Sequence, residues 1–186
     1  SIASCPCNGM LLQFHVRRAP GDPFSEYVFG ELKPREKVRV EGPQGDFLLD
    51  DESRRPIAFV AFETGFAPIK SLIEHAISLE LSQTMRLYWI ARDEQGHYLD
   101  NLCRSWRDAL DDFEFYPLVA GRPSDGAQAL IGQLALDWEH LNPVERAMAQ
   151  AVAQVVAEYP RLDEYDVYVN GARELLDPTR ELLLSH

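Results

Sequence analysis

Thr64, Gly65 and Pro68 carry the first chemical signal. In FVAFETGFAPIKSLIEHA (59–76) a hydrophobic run ends in a tight Thr64-Gly65 turn, and a helical pattern opens beside Pro68. Strand, turn and helix start in that order present backbone N–H groups at the positive end of a helix dipole, an anion site suited to a nucleotide phosphate. Glu63 sets a carboxylate next to this turn. Within about 5 Å of a phosphate it would cost about 3 kcal/mol at an effective dielectric near 20, before salt screening. Strand side chains alternate between faces, so the same carboxylate can equally point away from the site.

Other chemistry-bearing residues read more plainly. Cys5 and Cys7 are one residue apart, a poor spacing for zinc or an iron-sulfur cluster, and no second pair follows; with Cys103 they are expected to be free thiols, and no metal site is expected. His75 and His97 are expected on the surface of a helix and a turn, with no partner at ligand spacing. Trp89, Trp106 and Trp138 read as packing residues. Glu31, Asp46 and the run Asp50, Asp51, Glu52 read as solvated loop charge rather than paired catalytic carboxylates, and no hydrolase triad is present in the pattern.

The elements that must position these residues change character near Ser53. Before it, MLLQFHVR (10–17) alternates apolar and polar residues as a half-buried strand does, and KVRVEG and DFLLD continue in short-strand style. A short helix is expected around residues 24–32. After Ser53, the runs PIAFVAF, MRLYWIA, FEFYPLV and DVYVNG alternate with helical patterns, which predicts βαβ units and a parallel sheet buried on both faces. Ile69, Leu72, Ile73, Ala76 and Ile77 share one helical face. Asn142, Pro143 and Glu145 read as an N-cap, a first-turn proline and a capping-box acid, opening a helix that Pro160 stops. Pro178 is expected to interrupt the last helix, with Asp177 capping a fresh start. The fold class is therefore α/β: a parallel-sheet nucleotide-binding domain (53–186) preceded by a β-rich subdomain (1–52).

The chain has 186 residues, a net charge of −12 and 46% hydrophobic residues, enough for one sizeable core or two small ones. That acidity argues against nucleic acid or an anionic membrane as partner and is compatible with docking of a basic protein. The longest apolar run, residues 57–62, is too short to cross a bilayer, and no signal-peptide pattern opens the sequence. A cytoplasmic location is expected.

The segments SIASCP, FHVRRAPGDPFSEYV, GPQGDFLL, ETGFAPIKSLIEH, LYWIARDEQGHYLDNLCRSW and DVYVNGARELLDPTRELLLSH occur in an order that resembles the ferredoxin-NADP reductase superfamily. The likeness is closest to flavin-dependent reductase modules of bacterial oxygenases and deoxysugar reductases, and it weakens between residues 121 and 161. It implies that residues 1–52 are part of an antiparallel FAD-binding β-barrel and that residues 53–186 bind NADH or NADPH. The implied activity is hydride transfer from nicotinamide to flavin N5, with electrons passed singly to an iron-sulfur acceptor protein or domain; a 2Fe-2S cluster would belong to a further domain or a partner.

The resemblance also implies residue roles. Ser1 corresponds to the serine whose hydroxyl lies by flavin N5, a catalytic position, with Ile2 and Ala3 beside it. His15, Val16 and Arg17 correspond to the strand along the flavin ring and phosphates, and Phe24 and Ser25 to a helix start at the pyrophosphate. Thr64, Gly65, Ala67 and Pro68 correspond to the loop under the NAD(P) pyrophosphate, and Arg92 to the reader of the adenosine ribose or its 2′-phosphate. Asp93 would repel a 2′-phosphate, which favours NADH. Asn170, Gly171 and Ala172 stand where the family has Cys-Gly-Pro beside the nicotinamide, and Arg173 adds a positive charge there.

Two departures accompany the likeness. The arginine and tyrosine of the family's flavin motif would precede Ser1, so the chain reads as a fragment of a longer reductase or as a shortened relative completed by homodimerisation. Phe62 and Glu63 replace a Gly-Gly pair. The alternative reading is a non-catalytic nucleotide-binding or interaction module on the same fold.

Overall fold

The six residues of β1 (Ile57–Phe62) are all buried, and their alternation sends them to two different cores. The computed structural model describes residues 1–42, 44–120, 143–158, 161–171 and 173–184. Ahead of β1 lies a short helical stretch, α1 (Pro23–Glu26) continuing as a wide turn over Tyr27–Glu31, at the place the sequence predicts. After β1 come α2 (Phe66–Ser78), β2 (Met85–Ala91), α3 (Asp100–Ala109), β3 (Phe113–Val119), α4 (Pro143–Glu158), β4 (Asp166–Asn170) and α5 (Arg173–Leu184).

The four strands form one parallel sheet in the order β3-β2-β1-β4. All four predicted strands are thus present. On one face Ile57, Phe59 and Ala61 pack with Leu87 and Trp89 against Phe66, Ile69, Ile73 and Ala76 of α2 and Cys103 of α3. On the other, Ala58, Val60, Phe62, Tyr88 and Ile90 pack against Ala151, Val152, Val155 and Val156 of α4. Burying a side chain of the size of Phe59 or Leu87 contributes about 1.5–3 kcal/mol, so β1 and β2 anchor the domain. α4 opens at Pro143, as predicted; Asn142, Pro160 and Trp138 lie outside the described residues.

Several expectations change. Strands are not formed at 10–17, 37–42 or 46–50; among the described residues the first segment holds one antiparallel bridge, Ile2 with Phe14. Alternation alone does not make a strand without a neighbour to pair with, and here Met10 is 96% and Leu48 75% exposed. Cys5 and Cys7 are joined in a disulfide rather than free, because the turn over residues 5–8 brings their Cα atoms to 5.1 Å, within bridging range. α5 runs unbroken through Pro178. His97 is buried, not on the surface, with Nε2 2.8 Å from the carbonyl oxygen of Trp89.

Candidate functional site

The sheet's order places β1 between β2 on one side and β4 on the other, so consecutive connections leave β1 and β4 in opposite directions. That switch point, outside the carboxyl ends of the strands, is where open α/β sheets hold ligands. The turn Glu63–Gly65 and residues Asn170 and Gly171 meet there. They meet so closely that a Cβ on Gly65 would lie 2.4 Å from the Asn170 carbonyl oxygen and 2.7 Å from Gly171 Cα. A Cβ on Gly171 would in turn lie 2.7 Å from Phe62 Cβ. Both positions therefore require glycine for close approach.

Gly65 caps α2, and its buried neighbours Phe66 and Ala67 begin the helix. Pro68 falls in the first turn, where its missing N–H removes only a donor that has no intrahelical partner. Phe66 stacks on Trp89 with ring centroids 3.9 Å apart, fixing the helix start against β2. Trp89 reads as packing, as predicted, and additionally donates from Nε1 to the Glu63 carbonyl oxygen at 3.0 Å.

Glu63 adopts a left-handed φ of 51°, and this turns its side chain away from the strand direction toward the end of β2. Its Oε1 accepts from the Arg92 backbone N–H at 2.6 Å and its Oε2 from Arg17 Nη1 at 3.0 Å. The question of where the carboxylate points is thus answered: it forms an ion pair with the segment expected on the flavin side. Arg92 contributes its backbone at this point, and its side chain is exposed. Asp93 turns back to accept from the N–H groups of Gln95 and Gly96 at 2.9 and 3.1 Å.

Arg17 forms one wall of a cleft of about 450 Å³ with His15, Val16, Glu63, Thr64, Gln95 and Tyr98 among its lining residues. His15 Nδ1 lies 2.7 Å from the Tyr98 hydroxyl. Burial first, and then the Lys70 ammonium, hold His15 below its ordinary pKa; burial pushes the Tyr98 phenol up. His15 also donates its backbone N–H to the Ser1 carbonyl oxygen at 3.4 Å, and Ala3 N–H donates to Gln13 at 2.7 Å. The structure therefore sets residues 1–3 beside 13–15, next to the cleft. Ser1 is exposed, Ile2 half-buried and Ala3 buried.

Phe24 and Ser25 do not join them. Phe24 is exposed, while Ser25 is 2% exposed and its hydroxyl accepts from Ala19 N–H at 2.8 Å and donates to the Arg17 carbonyl oxygen at 3.4 Å. Ser25 shapes the loop that carries Arg17. Ala172 lies outside the described residues. Tyr98, Gln95 and Lys70 were not singled out from sequence. Only Lys70 left a signal there: it sits at a buried position of an otherwise apolar helix face, 5% exposed.

The cleft is lined by the Arg17 guanidinium, the Glu63 carboxylate paired with it and Thr64 of the loop that leads into α2, and the two glycine-dependent close contacts lie beside it. The chain is also similar to known proteins. The chain is 28% identical over 188 residues to the CDP-6-deoxy-L-threo-D-glycero-4-hexulose-3-dehydrase reductase of Yersinia pestis, covering all of this chain and 50% of that protein. It is 27% identical over 186 residues to an NAD(P)H-flavin reductase of Vibrio harveyi, covering 97% of this chain and 71% of the relative. The chain thus spans half the length of the first relative. The fold matches the crystal structure of the Amycolatopsis cytochrome P450 reductase GcoB with a TM-score of 0.77 at 19% identity, over 100% of this chain and 51% of that one. Residues 59–181 match the oxidoreductase NAD-binding domain, and the chain belongs to that family, within the ferredoxin-NADP reductase superfamily.

Proposed function

We propose that this chain is the reductase module of an NAD(P)H-dependent flavin oxidoreductase, with residues 1–52 on the flavin side and 53–186 on the nicotinamide side. The observation that carries this reading is the mutual packing of the Gly65 turn and the Asn170-Gly171 turn at the switch point, directly beside the cleft lined by residues 14–17. A bound nicotinamide would supply a hydride to a bound FAD, which would pass electrons singly to an iron-sulfur protein or domain.

Thr64, Gly65 and Ala67 would hold the nucleotide pyrophosphate through backbone N–H groups at the start of α2, with Pro68, which has no N–H to offer, fixing the first helical turn. Asn170 and Gly171 form the floor beside the nicotinamide, and the segment Ser1, Ile2, Ala3 lies along the flavin ring. His15, Val16 and Arg17 line the flavin phosphates; Ser25 supports Arg17 from behind. The antiparallel bridge of Ile2 with Phe14 supports this reading by setting residues 1–3 alongside 13–15. Glu63, clasped in the cleft, and Asp93 at the end of β2 favour NADH over NADPH, since a 2′-phosphate would meet two carboxylates. Among the described residues no helix is long and apolar enough to cross a membrane; a cytoplasmic location fits this chemistry.

The test is an anaerobic titration of the chain, supplied with FAD, with NADH and then NADPH. The reading expects bleaching of the flavin band at about 450 nm. No bleaching by either nucleotide would refute it. The second reading, a non-catalytic nucleotide-binding module, draws on the Glu63 carboxylate already occupying Arg17. Calorimetry with FAD and NAD(H) separates the two: nucleotide binding without any flavin binding favours the second.

A further inference from the structure

Lys70 is a charged group where helix geometry asks for an apolar one. It lies between Ile69 and Leu72 on the core-facing side of α2, and its residue is 5% exposed. An ammonium withdrawn from water costs several kcal/mol unless it is fully partnered. A lysine beside Glu74, one turn on, could satisfy its charge by extending its stem toward solvent. Lys70 does pair with Glu74 Oε1, at 2.6 Å, but it also turns inward, donating to the Ala3 carbonyl oxygen at 3.0 Å and to Gln13 Oε1 at 3.3 Å. The next residue repeats the arrangement: the Ser71 hydroxyl donates to the Ser4 carbonyl oxygen at 2.7 Å. Ser4 in turn accepts at Oγ from Gln13 N–H at 3.2 Å, closing a network around Ala3, Ser4 and Gln13.

Two consecutive side chains of α2 therefore grip two consecutive carbonyls of the first segment. The same helix, about 8 Å nearer its start by the rise of 1.5 Å per residue, carries the Gly65 turn that packs on Asn170 and Gly171. We propose that Lys70 is a positioning residue, which fixes the flavin-side segment 1–4 at a set distance from the nucleotide loop through α2. The inference rests on the reading of residues 1–3 as the flavin-ring segment. Hydride transfer is sensitive to alignment, and a misplacement of about 1 Å can cost about a hundredfold in rate. Lys70 touches neither reacting atom; it acts through the Ala3 carbonyl.

The experiment compares the wild-type chain with Lys70→Met, Lys70→Arg and Ser71→Ala. Amide exchange is read by mass spectrometry on peptides covering residues 1–13, on β1 and on β2; NADH-dependent flavin bleaching is read on the same samples. Lys70→Met is expected to speed exchange in residues 1–13 while β1 and β2 stay protected. It should lower the limiting bleaching rate about tenfold, with half-saturating NADH changed less than about twofold. Lys70→Arg, which keeps the donors, should restore most of both. Unchanged exchange in residues 1–13 overturns the inference, as does a wild-type bleaching rate in a variant whose residues 1–13 exchange faster. Should Lys70→Met lose the sheet as well, Ser71→Ala, which removes one neutral bond, carries the comparison with the same two outcomes. A wild-type chain that binds NADH but bleaches no flavin would refute the proposed function, and the exchange data would still decide the role of Lys70.

Discussion

Replacing Glu63 with glutamine changes the charge of the cleft by one unit and little else. Glutamine is nearly isosteric, keeps an oxygen for the Arg92 N–H, and retains the backbone turn. What it loses is the ion pair with Arg17, whose side chain is 48% exposed while that of Glu63 is 17% exposed. Such a pair contributes about 0.2–1 kcal/mol, so the fold should survive with a small drop in stability. The effect on ligand is larger. A cleft of about 450 Å³ is about 8 Å across, and at that distance a unit charge acts on a phosphate with about 2 kcal/mol at an effective dielectric near 20. Screening at physiological ionic strength cuts this to under half, since the Debye length is about 8 Å. Calorimetry with NADH should therefore show a Kd for Glu63→Gln about twentyfold tighter at low salt and about threefold tighter at 0.15 M salt. Glu63→Gly tests the backbone separately, because glycine adopts the left-handed conformation without the roughly 1–2 kcal/mol that an L side chain costs there. An unchanged or weaker NADH Kd for Glu63→Gln at low salt would refute the reasoning, since it would place the nucleotide phosphates outside the reach of the Glu63 charge.

Three further outcomes follow from geometry and titration. Gly65→Ala puts a Cβ 2.4 Å from the Asn170 carbonyl oxygen; such overpacking costs about 1–3 kcal/mol, so the melting temperature should fall by about 2–10 °C and nucleotide binding should be lost, and an unchanged melt would contradict the close approach. His15 is held below its ordinary pKa of 6.5 by burial and by Lys70. Folding therefore excludes a proton that the unfolded chain binds: stability is intact above about 6.5 and declines as pH falls below it toward the lowered value. In His15→Gln, denaturant midpoints between pH 7 and pH 5 should depend less steeply on pH, and an identical slope would sink the assignment. Cys103 is wholly buried, and burial, with Asp100 second, pushes its thiol up to about 12. A thiol reagent at pH 8 should count no thiol in the folded oxidised chain, one after denaturation and three after reduction; any thiol in the folded chain contradicts the bridge or the burial.

The sheet was legible because its signals are local. An apolar run such as IAFVAF needs both faces covered, and the helices between such runs have the right length to cover them. The Thr64-Gly65 turn was legible for the same reason, as a strand-to-helix junction. What sequence periodicity misses depends on partners. The alternation of MLLQFHVR is plain, yet strand pairing is a property of two segments, and here only Phe14 finds one, in Ile2. The Cys5–Cys7 bridge depends on a turn that carries its own backbone bond, from Asn8 N–H to the Cys5 carbonyl oxygen. His97 reads as a surface residue until β2 supplies the Trp89 carbonyl to its ring. Pro178 reads as a breaker, but one missing donor does not end α5.

Glu63 shows how a departure from a family pattern is accommodated physically. The position requires a left-handed turn, which glycine makes without strain and glutamate does not. Three bonds hold the strained turn in place: Trp89 Nε1 to its carbonyl, the Arg92 N–H and Arg17 to its carboxylate. Two of those partners belong to β2 and its end, and the third to the segment beside residues 1–3. The Arg17 pair and His15 with Tyr98 tie the first segment to the sheet at one cleft, and Lys70 ties Ala3 to α2. An anion that drew Arg17 away from Glu63 would release part of that tie, so under the proposed function binding on the flavin side and binding at the nucleotide loop would be coupled, and by linkage the coupling would be equal in both directions.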